Sequence, residues 1–143
     1  MTKVLRSIGL ALAVWASFSL VPAVAGVEAR IDIGHQRMRV YVDGEEAYSW
    51  PVSTGRPGYA TPPGDFKPDR MHARYFSRKY HNAPMPYAVF FNGGVAVHGT
   101  TEIRRLGKPA SHGCVRLHPD NAWAFFTLVK HHGLDNSRVV VTE

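Results

Sequence analysis

Beyond residue 25 the chain alternates. In "ARIDI" and "MRVYV" apolar side chains recur at every second position, the period of a strand with one buried face, and "GHQ" and "DGEE" supply turn residues between such runs. Three antiparallel strands joined by short hairpins are predicted before Gly55. The next stretch, "RPGYATPPGDFKPDRM", is dense in proline and glycine and predicts an irregular loop. The runs "YAVFF" and "VAVHGT", separated by "NGG", predict two more strands about a tight turn, and "SRVVVTE" predicts a closing strand. The period changes to helical in "HPDNAWAFFTLVKHHG", where Ala122, Phe125, Phe126 and Val129 mark one apolar face. Pro119 and Asp120 suit the first turn of that helix, while Lys130, His131 and His132 suit its last before Gly133. The aromatic stripe reads as core. The pattern predicts a small, mainly β domain with one principal helix.

The first residues belong to a different class. Lys3 and Arg6 precede an apolar run from Ser7 to Leu20, which ends in small residues at Ala23 and Ala25. That is the anatomy of a secretory signal peptide, and it is shorter than the roughly 20 apolar residues of a spanning helix. Residues 1–25 are therefore expected to be cleaved off, leaving residues 26–143 as one domain with no membrane span. The expected location is the periplasm or the cell-wall side of the inner membrane. Of 17 basic residues two lie in the leader, so the formal charge of +6 falls to +4 against 11 acidic residues. An exported basic domain points to polyanionic or carboxylate-bearing envelope partners and away from nucleic acid.

Export sharpens the question posed by Cys114, the one cysteine in the chain. It has no partner for an internal disulfide, and a lone exported thiol is open to oxidation. Three readings are available: a buried small hydrophobe, a metal ligand, or a nucleophile. A catalytic thiol needs a base and donors for an oxyanion. His98 ends a predicted strand before Gly99, and Cys114 follows Gly113 and precedes the strand-like "VRL". His112 lies two residues from Cys114, so in extended backbone the two point to one face. With His98 and His118 they would make a three-histidine, one-thiolate zinc set, although the spacing matches no common zinc signature.

"VAVHGT" followed by "SHGCVRL" resembles the signature of the L,D-transpeptidase catalytic domain, the YkuD family. "PVSTGRPGYATPPGDF" is similar to that family's "STG" strand end and "TPxG.F" loop. "MPYAVFFNGGVAVHGT" is similar to its lead into the active site, and "HPDNAWAFFTLVKHHG" to the helix after its cysteine. The pieces stand in the family's order over nearly all of residues 26–143.

The resemblance implies a β-rich catalytic domain of two sheets with a flanking helix, acting on peptidoglycan stem peptides without metal or other cofactor. It makes Cys114 the nucleophile and His98 the proton donor and acceptor, with the Gly99 carbonyl orienting its ring. His112 takes a supporting role, and the backbone amides around Gly113 and Cys114 become oxyanion donors. Ser111 and Arg116 fall on motif positions facing substrate; Arg116 is either a clamp for a substrate carboxylate or a structural ion-pair partner. The acceptor stays open among the amine of another stem, an envelope lipoprotein and water, the last making the protein an L,D-carboxypeptidase or another stem-peptide amidohydrolase. A wall-binding module without turnover is disfavoured by the intact His98, Gly113 and Cys114. The papain arrangement is disfavoured by order, since there the cysteine precedes the histidine.

Overall fold

A computed structural model describes residues 25–143, so the signal-peptide expectation lies, but for Ala25, outside the described residues. The alternating segments form β1 (Val27–Asp32), β2 (Arg37–Val42) and β3 (Glu45–Pro51), paired antiparallel in succession as their short turns require. The proline-rich stretch departs from expectation. It contains β4 (Gly64–Phe66) and β5 (Arg70–His72), each of three residues and each completed by a partner far along the chain. A hairpin of β6 (Phe76–Ser77) and β7 (Ala83–Pro84) follows. The two runs about "NGG" are β8 (Ala88–Asn92) and β9 (Val95–Gly99), and "VRL" is β10 (Val115–Leu117). Helix α1 (Pro119–His132) and β11 (Ser137–Thr142) close the domain.

The strands make a five-stranded sheet in the order β3-β2-β1-β11-β4, a four-stranded sheet in the order β10-β9-β8-β5, and the separate β6–β7 ribbon. The mainly β, two-sheet expectation holds, with that ribbon added. Inward-facing Val27, Ala29, Ile31, Met38, Val40, Val139 and Val141 of the first sheet share one core with Val89, Phe91, Val97, Val115 and Leu117 of the second. Helix α1 adds Ala122, Phe125 and Val129, while Phe126 is half-buried at the margin. Each fully buried aliphatic or aromatic side chain here contributes about 1.5–3 kcal/mol. Among the described residues no helix is long and apolar enough to cross a membrane.

The placement of the second sheet matters most for function. One face of it is the core; the other carries a small cluster of Ala88, Phe90, Ala96 and Met85, against which Tyr75 and Cys114 pack. The β6–β7 ribbon lies on that side, anchored by Met85 N–H to Tyr75 O (2.8 Å) and Tyr87 N–H to Ala73 O (2.9 Å).

Candidate active site

Register brings the thiol and the imidazole together. β9 and β10 run parallel, with Val115 beside Val97 and Arg116 beside His98. Since Val97, Val115 and Leu117 face the core, the alternate residues His98 and Arg116 face the opposite side. Cys114 precedes β10 and lies beside Ala96, whose N–H is 3.5 Å from Sγ. His98 and Cys114 thus stand diagonally across one strand pair on one face. Both line a cavity of about 330 Å³ that Glu102, Ser111, His112 and Arg116 also border. A second cavity of about 870 Å³ shares His112 and Cys114 with the first and is walled by the ribbon, with Arg78 and Lys79, and by Arg74 ahead of it.

The loop that presents Cys114 is held from beneath. Gly113 has φ +121°, a conformation that favours glycine, so the backbone at this point is not extended. His112 and Cys114 therefore do not share a strand face as expected, yet both border the same two cavities. The buried Thr61 hydroxyl donates to Gly113 O (2.8 Å) and accepts from Gly55 N–H (2.9 Å). Gly55 has no room for a side chain, because a Cβ there would lie 1.8 Å from Tyr59 O. Ser111 Oγ donates to Cys114 O (2.5 Å) and accepts from Gly113 N–H (3.0 Å). The resemblance gave Ser111 a substrate-binding position, but in this geometry its hydroxyl is committed to the loop. The same contact engages the Gly113 amide, leaving the Cys114 amide as the remaining candidate of the pair for an oxyanion.

His98 is buried, and its Nδ1 lies 2.7 Å from the Gly99 carbonyl, which can only accept. The proton therefore resides on Nδ1, and Nε2 holds a free lone pair. Burial pushes the imidazole down to about 4, opposed by the Gly99 hydrogen bond and assisted by the nearby Arg116 charge. Burial pushes the Cys114 thiol up, partly offset by the Ala96 N–H and Arg116. Both shifts favour the uncharged forms, a thiol and a neutral imidazole, at neutral pH.

His112 has different company. Its ring stacks on Tyr80 at 4.2 Å between centroids and meets the edge of Tyr59 at 4.9 Å. Its Nε2 is 3.2 Å from Arg56 Nη2, so it accepts from a guanidinium that has no acceptor capacity of its own. Desolvation, then Arg56, Arg116 and Lys79, hold its pKa below the ordinary value. That nitrogen is therefore engaged by Arg56. Arg116 is mostly buried and its Nη1 lies 3.6 Å from Glu102 Oε2, a loose pair, because Glu102 also holds Arg105 at 3.0 Å. His118 stands apart as the cap of α1, its Nδ1 accepting from Asp120 N–H at 3.1 Å. Sequence reasoning missed Arg56, Tyr59, Thr61 and Tyr80; the first three lay within the family-like stretch "PVSTGRPGYATPPGDF", Thr61 on a lettered position of its "TPxG" loop, and Tyr80 lay in no motif.

A family model described as the L,D-transpeptidase catalytic domain, YkuD, matches residues 27–141. Among solved structures the chain is similar to an L,D-transpeptidase from Mycobacterium smegmatis, at 27% identity and TM-score 0.75, over 83% of this chain and 59% of that one. It is similar to an L,D-transpeptidase from Stackebrandtia nassauensis at 30% identity and TM-score 0.72, over 89% and 62%. A third, from Xylanimonas cellulosilytica, gives 26% identity and TM-score 0.66 over 85% and 62%. The match thus spans about three fifths of the length of these chains. No curated protein matches.

Proposed function

The chain belongs to the L,D-transpeptidase catalytic-domain family, and from that premise we propose that it is an exported enzyme that transfers the acyl group of peptidoglycan stem peptides through a thioester on Cys114. The observation that carries this reading is the buried imidazole of His98, fixed by its 2.7 Å bond to Gly99 O and set on the face that carries the thiol. A histidine so fixed offers one lone pair to the cavity it shares with the thiol, whose Sγ rests 3.7 Å from Gly94 O.

The steps follow from those protonation states. The Cys114 proton passes to His98 Nε2 as sulfur attacks the carbonyl of the diamino acid preceding a terminal D-alanine, forming a C–S bond and an oxyanion. Collapse breaks the C–N bond, and the imidazolium gives its proton to the departing D-alanine amine. An acceptor amine then loses a proton to Nε2 and attacks the thioester, and the thiol is restored. Arg116 lowers the pKa of both reacting groups, so its charge favours the thiolate at the expense of the imidazolium. Its loose hold on Glu102 leaves the guanidinium able to take a substrate carboxylate bidentately. Two cavities meeting at one sulfur suit a reaction that must seat a donor and an acceptor in turn.

Incubation of the purified protein with disaccharide tetrapeptides tests the proposal by mass spectrometry of the products. Free D-alanine with crosslinked dimers is expected, in proportion to stem concentration. Tripeptide and D-alanine without dimers would replace the amine by water, and unchanged stems would refute the reading.

A further inference from the structure

The outer face of the five-stranded sheet carries a basic cluster that the proposed reaction does not use. Register sets Arg30 opposite Arg39, with Arg37 two residues from Arg39 on the same face of β2. Like charges directly opposite each other on a sheet are destabilising, and the surroundings compensate them unevenly. Arg30 Nε bonds Glu28 Oε1, and its guanidinium lies 4.2 Å from the centre of the Tyr41 ring. Arg37 reaches only the neutral Ser49 Oγ, at 2.9 Å. Among the described residues no carboxylate pairs with Arg37 or Arg39, while Arg30 and His35 each have one and Arg138 has two. Asp32 stands opposite Arg37 in register, yet its carboxylate accepts from the N–H and the ring of His35. Arg30, Asp32, His35, Arg37 and Arg39 border a cavity of about 500 Å³ in which Asp32 is the one acid.

Layering puts this cavity on the far side of the domain from the thiol. The inner face of the five-stranded sheet and one face of the four-stranded sheet share the core, and Cys114 lies on the outer side of the second. An anion held at Arg37 and Arg39 therefore cannot be the acyl donor at Cys114. Guanidiniums on alternate residues, about 7 Å apart along a strand, match discrete carboxylates, each of which an arginine fork can take bidentately. The repeating carboxylates of stem peptides on a wall polymer would engage such a face multivalently.

We propose that the Arg30–Arg37–Arg39 face is a second, non-catalytic binding site for peptidoglycan, gripping stem-peptide carboxylates of one strand while the opposite face addresses another. The proposal rests on the reading that the domain works on this polymer. Its consequence is kinetic: a tethered enzyme meets stems at an effective concentration set by the wall, not by diffusion.

Co-sedimentation with insoluble sacculi tests this, using the full chain carrying Cys114→Ala so that retention is measured without turnover. A failure of the proposed catalysis then leaves the outcome readable. Adding Arg37→Gln and Arg39→Gln should weaken retention about tenfold at low salt, with thermal unfolding no earlier than in the parent because a like-charge contact is relieved. A control that loses the same charge elsewhere, Arg104→Gln with Lys130→Gln, should stay within about twofold, and sacculi with amidated carboxylates should retain the parent as poorly as native sacculi retain the double variant. Equal retention of parent and double variant, or an equal loss in the control, would overturn the proposal. So would unchanged retention on amidated sacculi with release by polyphosphate, which would make a phosphate-bearing polymer the ligand.

Discussion

The protonation state of the resting pair makes a kinetic prediction that separates this site from one built on a thiolate–imidazolium pair. Burial pushes His98 down to about 4 and pushes the Cys114 thiol up, so moving the proton from sulfur to nitrogen before substrate binds is uphill. Taken from an ordinary thiol the gap is about five pH units, roughly 7 kcal/mol at 1.36 kcal/mol per unit; the raised thiol adds to it, the attraction of the two ions subtracts from it, and it fits within the roughly 17 kcal/mol barrier of an enzyme turning over about once per second. Ion pairs should therefore form only transiently, during attack. The assay is alkylation of Cys114 by iodoacetamide as a function of pH. Its rate should climb about tenfold per pH unit from 5 to 9, because only the thiolate reacts. His98→Gln should leave that profile nearly unchanged while lowering turnover about 100- to 10,000-fold, the usual contribution of a positioned acid and base. A plateau of fast alkylation below pH 7, lost in His98→Gln, would instead place an ion pair in the resting enzyme.

Other expectations follow from the same contacts. His98 is held near 4 in the folded chain against 6.5 when unfolded, so the unfolded state binds more protons between those values; stability is complete above pH 6.5 and falls by about 3 kcal/mol as pH drops toward 4, a slope that chemical denaturation should find flattened in His98→Gln. The raised thiol acts in the opposite sense, so stability should decline above about pH 9 in the wild type and not in Cys114→Ala. Thr61→Val, which strands the Gly113 carbonyl and the Gly55 amide, should cost about 1–3 kcal/mol in urea unfolding and lower activity, with Thr61→Ser restoring much of both. A carbapenem, whose strained amide can acylate a thiolate without a diffusing leaving group, should add its mass to the wild type and nothing to Cys114→Ala.

Much of the fold was legible because periodicity is a local signal. The alternation in β1 and β2 and the helical stripe of α1 each reflect one element with one buried face, and both lie where the pattern put them. β4 and β5 were not legible, since three residues carry almost no period and their partners, β11 and β8, are remote in sequence. The β6–β7 ribbon escaped for a similar reason: two-residue strands beside Pro84 look like loop. In the site, His98 and Cys114 were legible as motif residues flanked by glycines. What surrounds His112 was not, because Arg56, Tyr59 and Tyr80 reach it only through tertiary folding. For Ser111 the motif position indicated the cavity, whose wall it joins, but not the hydrogen bonds by which its hydroxyl holds the loop.

The central claim is that Cys114 carries the acyl group. Rapid acid quenching of the protein with a tetrapeptide stem, followed by intact-mass and peptide mapping, tests it most directly. An adduct equal to the stem less D-alanine is expected on Cys114, labile to hydroxylamine as a thioester is, and absent from Cys114→Ala. An adduct mapped to another residue, or D-alanine release that persists in Cys114→Ala, would contradict it.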